Sequence, residues 1–504
     1  MLFHETRINS LSDIKASTGS NRPNLYPWIG DLPMYRRSTC AGIATAEPNR
    51  PVSVQQASHR YERRKYEAAQ DGNRYLDFTD KDRDSHADTR CGGTHFLSLT
   101  SSRINYRLRF MSRMASALLL ASTVAVPALV AQTPLSSRQV NDLHVLVEST
   151  RAKENLPGLS VAVAKGDQIW TAAVGSADVE QNVPMDSQSM LRTASITKWM
   201  TAAAALRLVD EGKLKLDAPI QQYCPQYPAK PWPIDSKELL SQLSGIRHYH
   251  GANGEPRDTS EQRAALDALA RREQSTQYTR YTEVIPTLDA FKDDPLIYQP
   301  GTHFLYSSLG YRVMGCVLEG AAHSPYRTLM RTLIFLPAGM SKTTEDDAQT
   351  VVPHRVAGYS WDDKRQFIRA PFRDVSENLP GGGYLSTPSD LVRFAIAFNT
   401  GKLVHPKTRD AMIERPKLID GSPVPDAPNY FGMGKDLYYG LGIFVGKLSS
   451  GEQLLMHTGR DPGASTELLL EPHTNIAVAV MSNVSQWDGT DDLAKKILEI
   501  IDQR

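Results

Sequence analysis

Two groups of short β-rich runs, 159–174 and 440–481, bracket a long stretch of this chain that reads as helix and loop. Runs of that length cannot bury a face alone, so they need one another. The solution this imposes is a single antiparallel sheet built from both ends of the chain, with helices packed on it and a mostly helical region inserted. The expected strands are 159–164 and 168–174, joined by the hairpin signal Lys165-Gly166-Asp167, and then 440–447, 454–457, 466–471 and 476–481. Helices flank the sheet at both termini. One has Ser136 or Ser137 as its cap and Val140, Leu143 and Val147 on one face; the other follows Thr490 as cap and carries Leu493, Ile497 and Ile501. A third helix is expected over 195–210, stopping at Gly212, and a fourth at Thr387-Pro388-Ser389-Asp390, where a cap, a first-turn proline and an acid coincide. The fold class is therefore an α+β sandwich, with a cleft between sheet and inserted region as the natural place for a site.

Residues 1–110 differ in kind. Segments such as Tyr61-Glu62-Arg63-Arg64-Lys65 and Asp80-Lys81-Asp82-Arg83-Asp84 are charged and lack any sustained period, so this stretch reads as a disordered extension or a mis-assigned start. Met111-Ser112-Arg113-Met114 then opens an apolar run to Ala131, broken only by Ser116, Ser122, Thr123 and Pro127. A basic start, an apolar middle and a small final residue make 111–131 a signal peptide, which implies a secreted or periplasmic protein whose translation starts at Met111 or Met114. Pro127 and the hydroxyls argue against a stable membrane span.

Charge excludes several function classes. A net charge of +1 over 504 residues provides no field for nucleic acid or an anionic membrane. The four cysteines, Cys40, Cys91, Cys224 and Cys316, contain no CxxC and no zinc spacing. Cys316 falls at helical spacing with Leu309, Val313 and Val317 and reads as a small buried hydrophobe; spacing leaves open whether it pairs with Cys224. His248 and His250 have no further ligand at metal spacing, so no metal and no cofactor are expected. Gly381-Gly382-Gly383 lacks the context of a phosphate loop.

Three short motifs carry chemistry. Ser195-Ile196-Thr197-Lys198 at a helix start puts hydroxyl and amine on one face, where the amine can take the hydroxyl proton and the helix N-terminus favours an oxyanion. Tyr306-Ser307-Ser308 opens an apolar helix, and His457-Thr458-Gly459, followed by Arg460, ends an apolar run. Each alone is a weak signal. In this order, SxxK, a tyrosine motif and a [Lys/His]-Thr-Gly strand, they resemble the penicillin-recognising serine hydrolases. The central tyrosine is similar to class C β-lactamases, D-alanyl-D-alanine carboxypeptidases and related esterases. Leu243-Ser244-Gly245-Ile246-Arg247-His248-Tyr249 and Phe291-Lys292-Asp293-Asp294-Pro295 look especially like the serine β-lactamase-like proteins of animal mitochondria and their bacterial relatives. Leu336-Pro337-Ala338-Gly339-Met340 and Gly381-Gly382-Gly383-Tyr384-Leu385-Ser386-Thr387 extend the match across 136–504.

The resemblance implies a β-lactamase/DD-peptidase-like fold and an acyl-enzyme on Ser195. Lys198 and Tyr306 would share the proton, and the backbone N–H groups of Ser195 and Arg460 would form the oxyanion hole. The strand at Thr458 and Gly459 would align substrate. It also implies a polar, solvated insertion over about 250–290 and allows self-assembly. Two departures matter. Ser308 stands where an asparagine is usual, and His457 stands where a lysine would hold a carboxylate; a histidine is mostly neutral at pH 7. Arg460 is the candidate to restore that charge. The expected substrate is therefore a peptide or ester, with β-lactamase or D-alanyl-D-alanine carboxypeptidase activity as the enzymatic alternative and an assembly scaffold with a vestigial site as the non-enzymatic one.

Overall fold

The computed structural model describes residues 134–249, 268–269, 271–426, 437–448 and 450–502. The extension 1–110 and the run 111–131 lie outside the described residues.

An eight-stranded antiparallel sheet forms the centre. In chain order its strands are β1 (Gly158–Lys165), β2 (Gln168–Asp178), β3 (Val183–Pro184), β4 (Tyr438–Tyr439), β5 (Phe444–Lys447), β6 (Gln453–Asp461), β7 (Ala464–Glu471) and β8 (Ile476–Ser482). Across the sheet they run β3-β2-β1-β8-β7-β6-β5-β4, so β1 pairs with β8, Leu159 opposite Ser482 and Lys165 opposite Ile476. The two ends of the chain thus meet in the middle of one sheet, as the distribution of β-rich runs requires. The run 440–447 is not one strand, however. Gly440 donates to the Ile443 carbonyl at 2.8 Å and Gly442 adopts φ +81°, which makes a turn between β4 and β5.

Both faces of the sheet are covered. The principal helices are α1 (Ser137–Lys153), α2 (Ile196–Asp210), α3 (Ser308–Ala322), α4 (Pro388–Asn399) and α5 (Thr490–Asp502). Alternation along the strands assigns the faces. On β1 and β8, Ala162, Ala164, Ala477 and Ala479 face a core shared with α2, α3 and α4, while Leu159, Val161, Val163, Val478 and Val480 face a second core shared with α1 and α5. The alanines let α4 lie close across β1 and β8, and Ala202 to Ala205 are buried on α2. Trp199 fills the remaining space, edge-on to Phe394 and Phe398 at 5.4 and 5.5 Å. Losing a buried aromatic of that size costs about 3–5 kcal/mol, so α2 is anchored firmly.

Local signals hold at the helix starts, with one exception. Ser136 forms a full capping box with Gln139, and the Thr387 side chain accepts from the Asp390 N–H. Thr490 does not cap; it is the first residue of α5, and its hydroxyl accepts from Arg460 Nη2 at 2.9 Å. Cys316 is not a lone hydrophobe either. It forms a disulfide with Cys224, tying α3 to a segment 92 residues earlier. Helical spacing reported its burial, but only the fold brings the second sulfur to it.

Candidate active site

The site is assembled where the chain enters α2. Residues 191–192 pair with Tyr384–Ser386, and Thr193 donates to the Tyr384 carbonyl from its N–H at 2.9 Å and its hydroxyl at 3.0 Å. Ala194 then takes φ +43°, a left-handed conformation that costs a residue with a Cβ roughly 1–2 kcal/mol. That kink delivers Ser195 to the helix start. The Ser195 hydroxyl makes no capping bond to α2 and stays available to Lys198, whose Nζ lies 2.9 Å from Ser195 Oγ. Lys198 Nζ also donates to the Gly381 carbonyl at 2.8 Å.

Lys198 is fully buried. Burial above all, and then the Arg373 guanidinium, hold its pKa well below lysine's ordinary value, against an opposing pull from Asp461. The free amine is thereby favoured, and a free amine can take a proton. Tyr306 shares a hydrogen bond with Ser195, and its ring lies 5.0 Å from Lys198 Nζ. Burial, then Tyr439, push the Tyr306 phenol well above its ordinary range, so it stays protonated. Two titratable groups with pKa values driven in opposite senses flank one hydroxyl, a pattern suited to a base and an acid.

The third motif lies on β6. Pairing between β5 and β6 ends at Phe444 opposite Met456, so residues 457–461 pair only with β7 among the described residues. Gly459 permits their approach to the start of α2. A Cβ there would meet Thr466 Oγ1 at 2.3 Å and the Thr193 carbonyl at 2.5 Å. Thr458 is buried opposite Glu467, and its carbonyl accepts the His457 Nδ1 proton at 2.7 Å. The remaining nitrogen of His457, Nε2, therefore accepts from the Tyr439 hydroxyl at 3.1 Å. Burial first, then Lys198, push His457 down to about 3, so the imidazole is neutral throughout the physiological range.

Arg460 does not replace the missing charge. Its guanidinium reaches the Gly459 and Thr466 carbonyls at 3.0 and 3.2 Å and Thr490 on α5, which places it on the opposite face of the sheet from Lys198. Alternation explains this, because residues 457 and 460 are an odd number of positions apart on one strand. Ser308 is buried, and its N–H donates to His248 Nδ1 at 3.2 Å.

His248 joins this cluster. Its ring meets Tyr306 edge-on at 5.6 Å, and burial, then Lys198, push its pKa down to about 3. Nothing in its local sequence announces that contact. The Gly381 carbonyl was equally hidden, since a glycine run carries no side chain to read. The expected insertion over about 250–290 is not uniformly solvated. Glu273 and Thr276 are buried, Arg247 pairs with Glu273, and Leu288 and Ala290 join the first core. Residues 250–267 and 270 of it lie outside the described residues.

Comparison with known proteins addresses the family and the fold. A family model described as "Beta-lactamase" matches residues 144–501. The mitochondrial serine beta-lactamase-like protein LACTB of Mus musculus is 28% identical over 69% of this chain and 75% of its own length. Penicillin-binding protein 4* of Bacillus subtilis is 23% identical over 65% of this chain and 68% of its own. The structure of the octameric penicillin-binding protein homologue from Pyrococcus abyssi aligns with TM-score 0.59 and 22% identity, covering 72% of this chain and 77% of that one. At that identity the likeness concerns the fold.

One expectation is overturned here. The run 111–131 suggested a secreted or periplasmic protein, yet the mouse relative and its human and bovine counterparts are mitochondrial. A basic, serine-containing, acid-free segment is common to more than one targeting route, so its composition does not select secretion.

Proposed function

The chain belongs to the beta-lactamase family, and from that premise we propose that it is a serine hydrolase that forms an acyl-enzyme on Ser195 with a peptide or ester substrate. The observation that carries this reading is the buried Lys198 amine, 2.9 Å from Ser195 Oγ and held well below its ordinary pKa. A serine hydroxyl is a weak nucleophile until a neighbouring base takes its proton. Lys198 Nζ takes that proton as Oγ attacks the acyl carbon. The N–H groups of Ser195 and Arg460 receive the oxyanion, with the helix start adding its dipole. Tyr306, a protonated phenol in the resting site, donates to the leaving group and is recharged through Lys198. Water then repeats the attack on the acyl-enzyme and regenerates Ser195. The open edge of β6 at Thr458 and Gly459 lies along the substrate, and His457 holds that strand through Tyr439 rather than supplying charge.

A fluorophosphonate should label Ser195, and Ser195→Ala should remove both the label and the turnover of a short-chain nitrophenyl ester while the protein remains folded. Full esterase activity in Ser195→Ala would falsify the reading. Comparing that ester with a D-alanyl peptide and a chromogenic cephalosporin separates ester and peptide hydrolysis from β-lactamase activity.

A further inference from the structure

Arg460 carries its charge on the side of β6 that faces away from the nucleophile, and that placement needs a reason. Alternation puts its side chain on the face where Leu454 and Met456 join the second core. The side chain keeps only 17% of its exposure. Burial deprives the guanidinium of water, a loss that Glu467, Asp488 and Asp491 oppose. A well-packed apolar side chain in such a place is often as stabilising as a buried ion. Stability alone therefore gives no reason for an arginine here, and what the arginine adds is its set of hydrogen bonds.

Those bonds brace the end of β6 where the ladder does not. Residues 457–461 pair with β7 alone among the described residues, so their outer edge is open. The Gly459 carbonyl and the Arg460 N–H belong to one planar peptide and point in opposite directions. The carbonyl accepts from Arg460 Nη1 at 3.0 Å, and the same Nη1 donates to the Thr466 carbonyl on β7 at 3.2 Å. The N–H of residue 460 is thereby turned from β7 towards the open edge. Glycine leaves the rotation of this peptide little restrained by sterics, so a bond to its carbonyl matters. Nη2 donates to the Thr490 hydroxyl at 2.9 Å and fastens the guanidinium to α5. On the near face Thr466 Oγ1 donates to the Thr193 carbonyl at 3.2 Å, two residues before Ser195. A continuous path runs from α5 through Arg460 and Thr466 to the segment that delivers the nucleophile.

We infer that the Arg460 side chain is a positioning residue: by holding the Gly459 carbonyl from the far face of the sheet, it keeps the N–H of residue 460 aimed at the oxyanion. This rests on the serine-hydrolase reading above. The N–H itself belongs to the backbone and survives any substitution except proline. The side chain's contribution can therefore be removed while the donor stays in the chain.

The test uses the full chain with nitrophenyl butyrate and the matching thionoester, in which sulfur replaces the carbonyl oxygen, beside fluorophosphonate labelling. Sulfur is larger and a weaker hydrogen-bond acceptor, so an aligned N–H favours the oxo ester. The oxo-to-thiono ratio of kcat/KM reports that alignment, which a merely structural role would not move. Arg460→Met should remain folded yet lower kcat/KM for the oxo ester about 10²-fold, chiefly through kcat, the order of loss for a displaced oxyanion donor. The thionoester should lose much less, so the ratio falls. Thr490→Val releases Arg460 from α5 but leaves both carbonyl acceptors, and should move the ratio the same way by a smaller factor. Where Arg460→Met fails to fold, Thr490→Val decides alone. Ratios equal to wild type, with Ser195 still labelled, overturn the positioning role and leave the hydrolase reading standing. No labelling and no turnover of either ester by wild type overturns the hydrolase reading, and the inference with it.

Discussion

Lys198 illustrates how one residue can be placed against its own solvation. An ammonium in a fully buried site loses water that the Gly381 carbonyl and Ser195 hydroxyl replace only in part, and the neighbouring Arg373 charge adds to the penalty. The sign of the pH dependence follows. In the proposed mechanism the free amine is the working form, so kcat/KM should rise as pH rises through the Lys198 pKa, with that limb well below 10.5. Arg373→Gln removes a positive charge that depresses this pKa and should shift the acid limb of a pH–rate profile to higher pH. An unshifted limb would show that Lys198 is not the titrating base. Lys198→Ala and Tyr306→Phe should each lower turnover about 10²–10⁴-fold, the usual contribution of a positioned proton-transfer group. His457 gives a contrasting expectation. With its pKa near 3 it should produce no titration step between pH 5 and 8. His457→Lys would bury an ammonium beside Lys198 and lose the acceptor for Tyr439, so thermal stability should fall. An unchanged melting temperature in His457→Lys would contradict that burial.

At the scale of elements, β6 and the start of α2 are held against each other by what they lack. Gly459 has no Cβ, and the strand can therefore lie against the Thr193 carbonyl and Ala194, with Thr466 Oγ1 donating to the Thr193 carbonyl at 3.2 Å. Gly459→Ala should force the strand away from the nucleophile. Overpacking of this kind costs about 1–3 kcal/mol in stability. The larger effect should be on catalysis, since displacements of about 1 Å at reacting groups cost on the order of 10²-fold. Equal Ser195 labelling rates in Gly459→Ala and wild type would mean that β6 does not take part in acylation. The helix elements were the more readable ones: Ser136 with Gln139 and Thr387 with Asp390 cap as local rules require. Thr490 was misread because Arg460, thirty positions earlier in the chain, competes for its hydroxyl.

The domain formed by the described residues is closed by elements from both of its ends. β8 lies beside β1, and α5 covers the second core with Leu493, Ala494, Ile497, Leu498 and Ile501 while anchoring Arg460 through Thr490. Truncation after residue 489 should therefore expose that core and abolish cooperative unfolding, since several buried apolar side chains at about 1.5–3 kcal/mol each exceed the margin of a typical domain. A truncated protein with an unchanged melting transition would contradict this two-core account. What the sequence alone determined is what short-range rules encode. The β-rich runs at both ends imply a shared antiparallel sheet, and a three-residue spacing puts Ser195 and Lys198 on one helical face. Burial that follows local period, as at Val140, Leu143 and Val147, is partly legible too, with Leu143 and Val147 buried. What only the tertiary structure decided are the meetings between residues far apart in the chain: the Cys224–Cys316 disulfide, Lys198 at the Gly381 carbonyl, His248 against Tyr306 and Arg373 between Tyr249 and Asp461. The reason is physical. Periodicity records which side of an element is buried, whereas charge, protonation and partnership depend on what another element brings to that side.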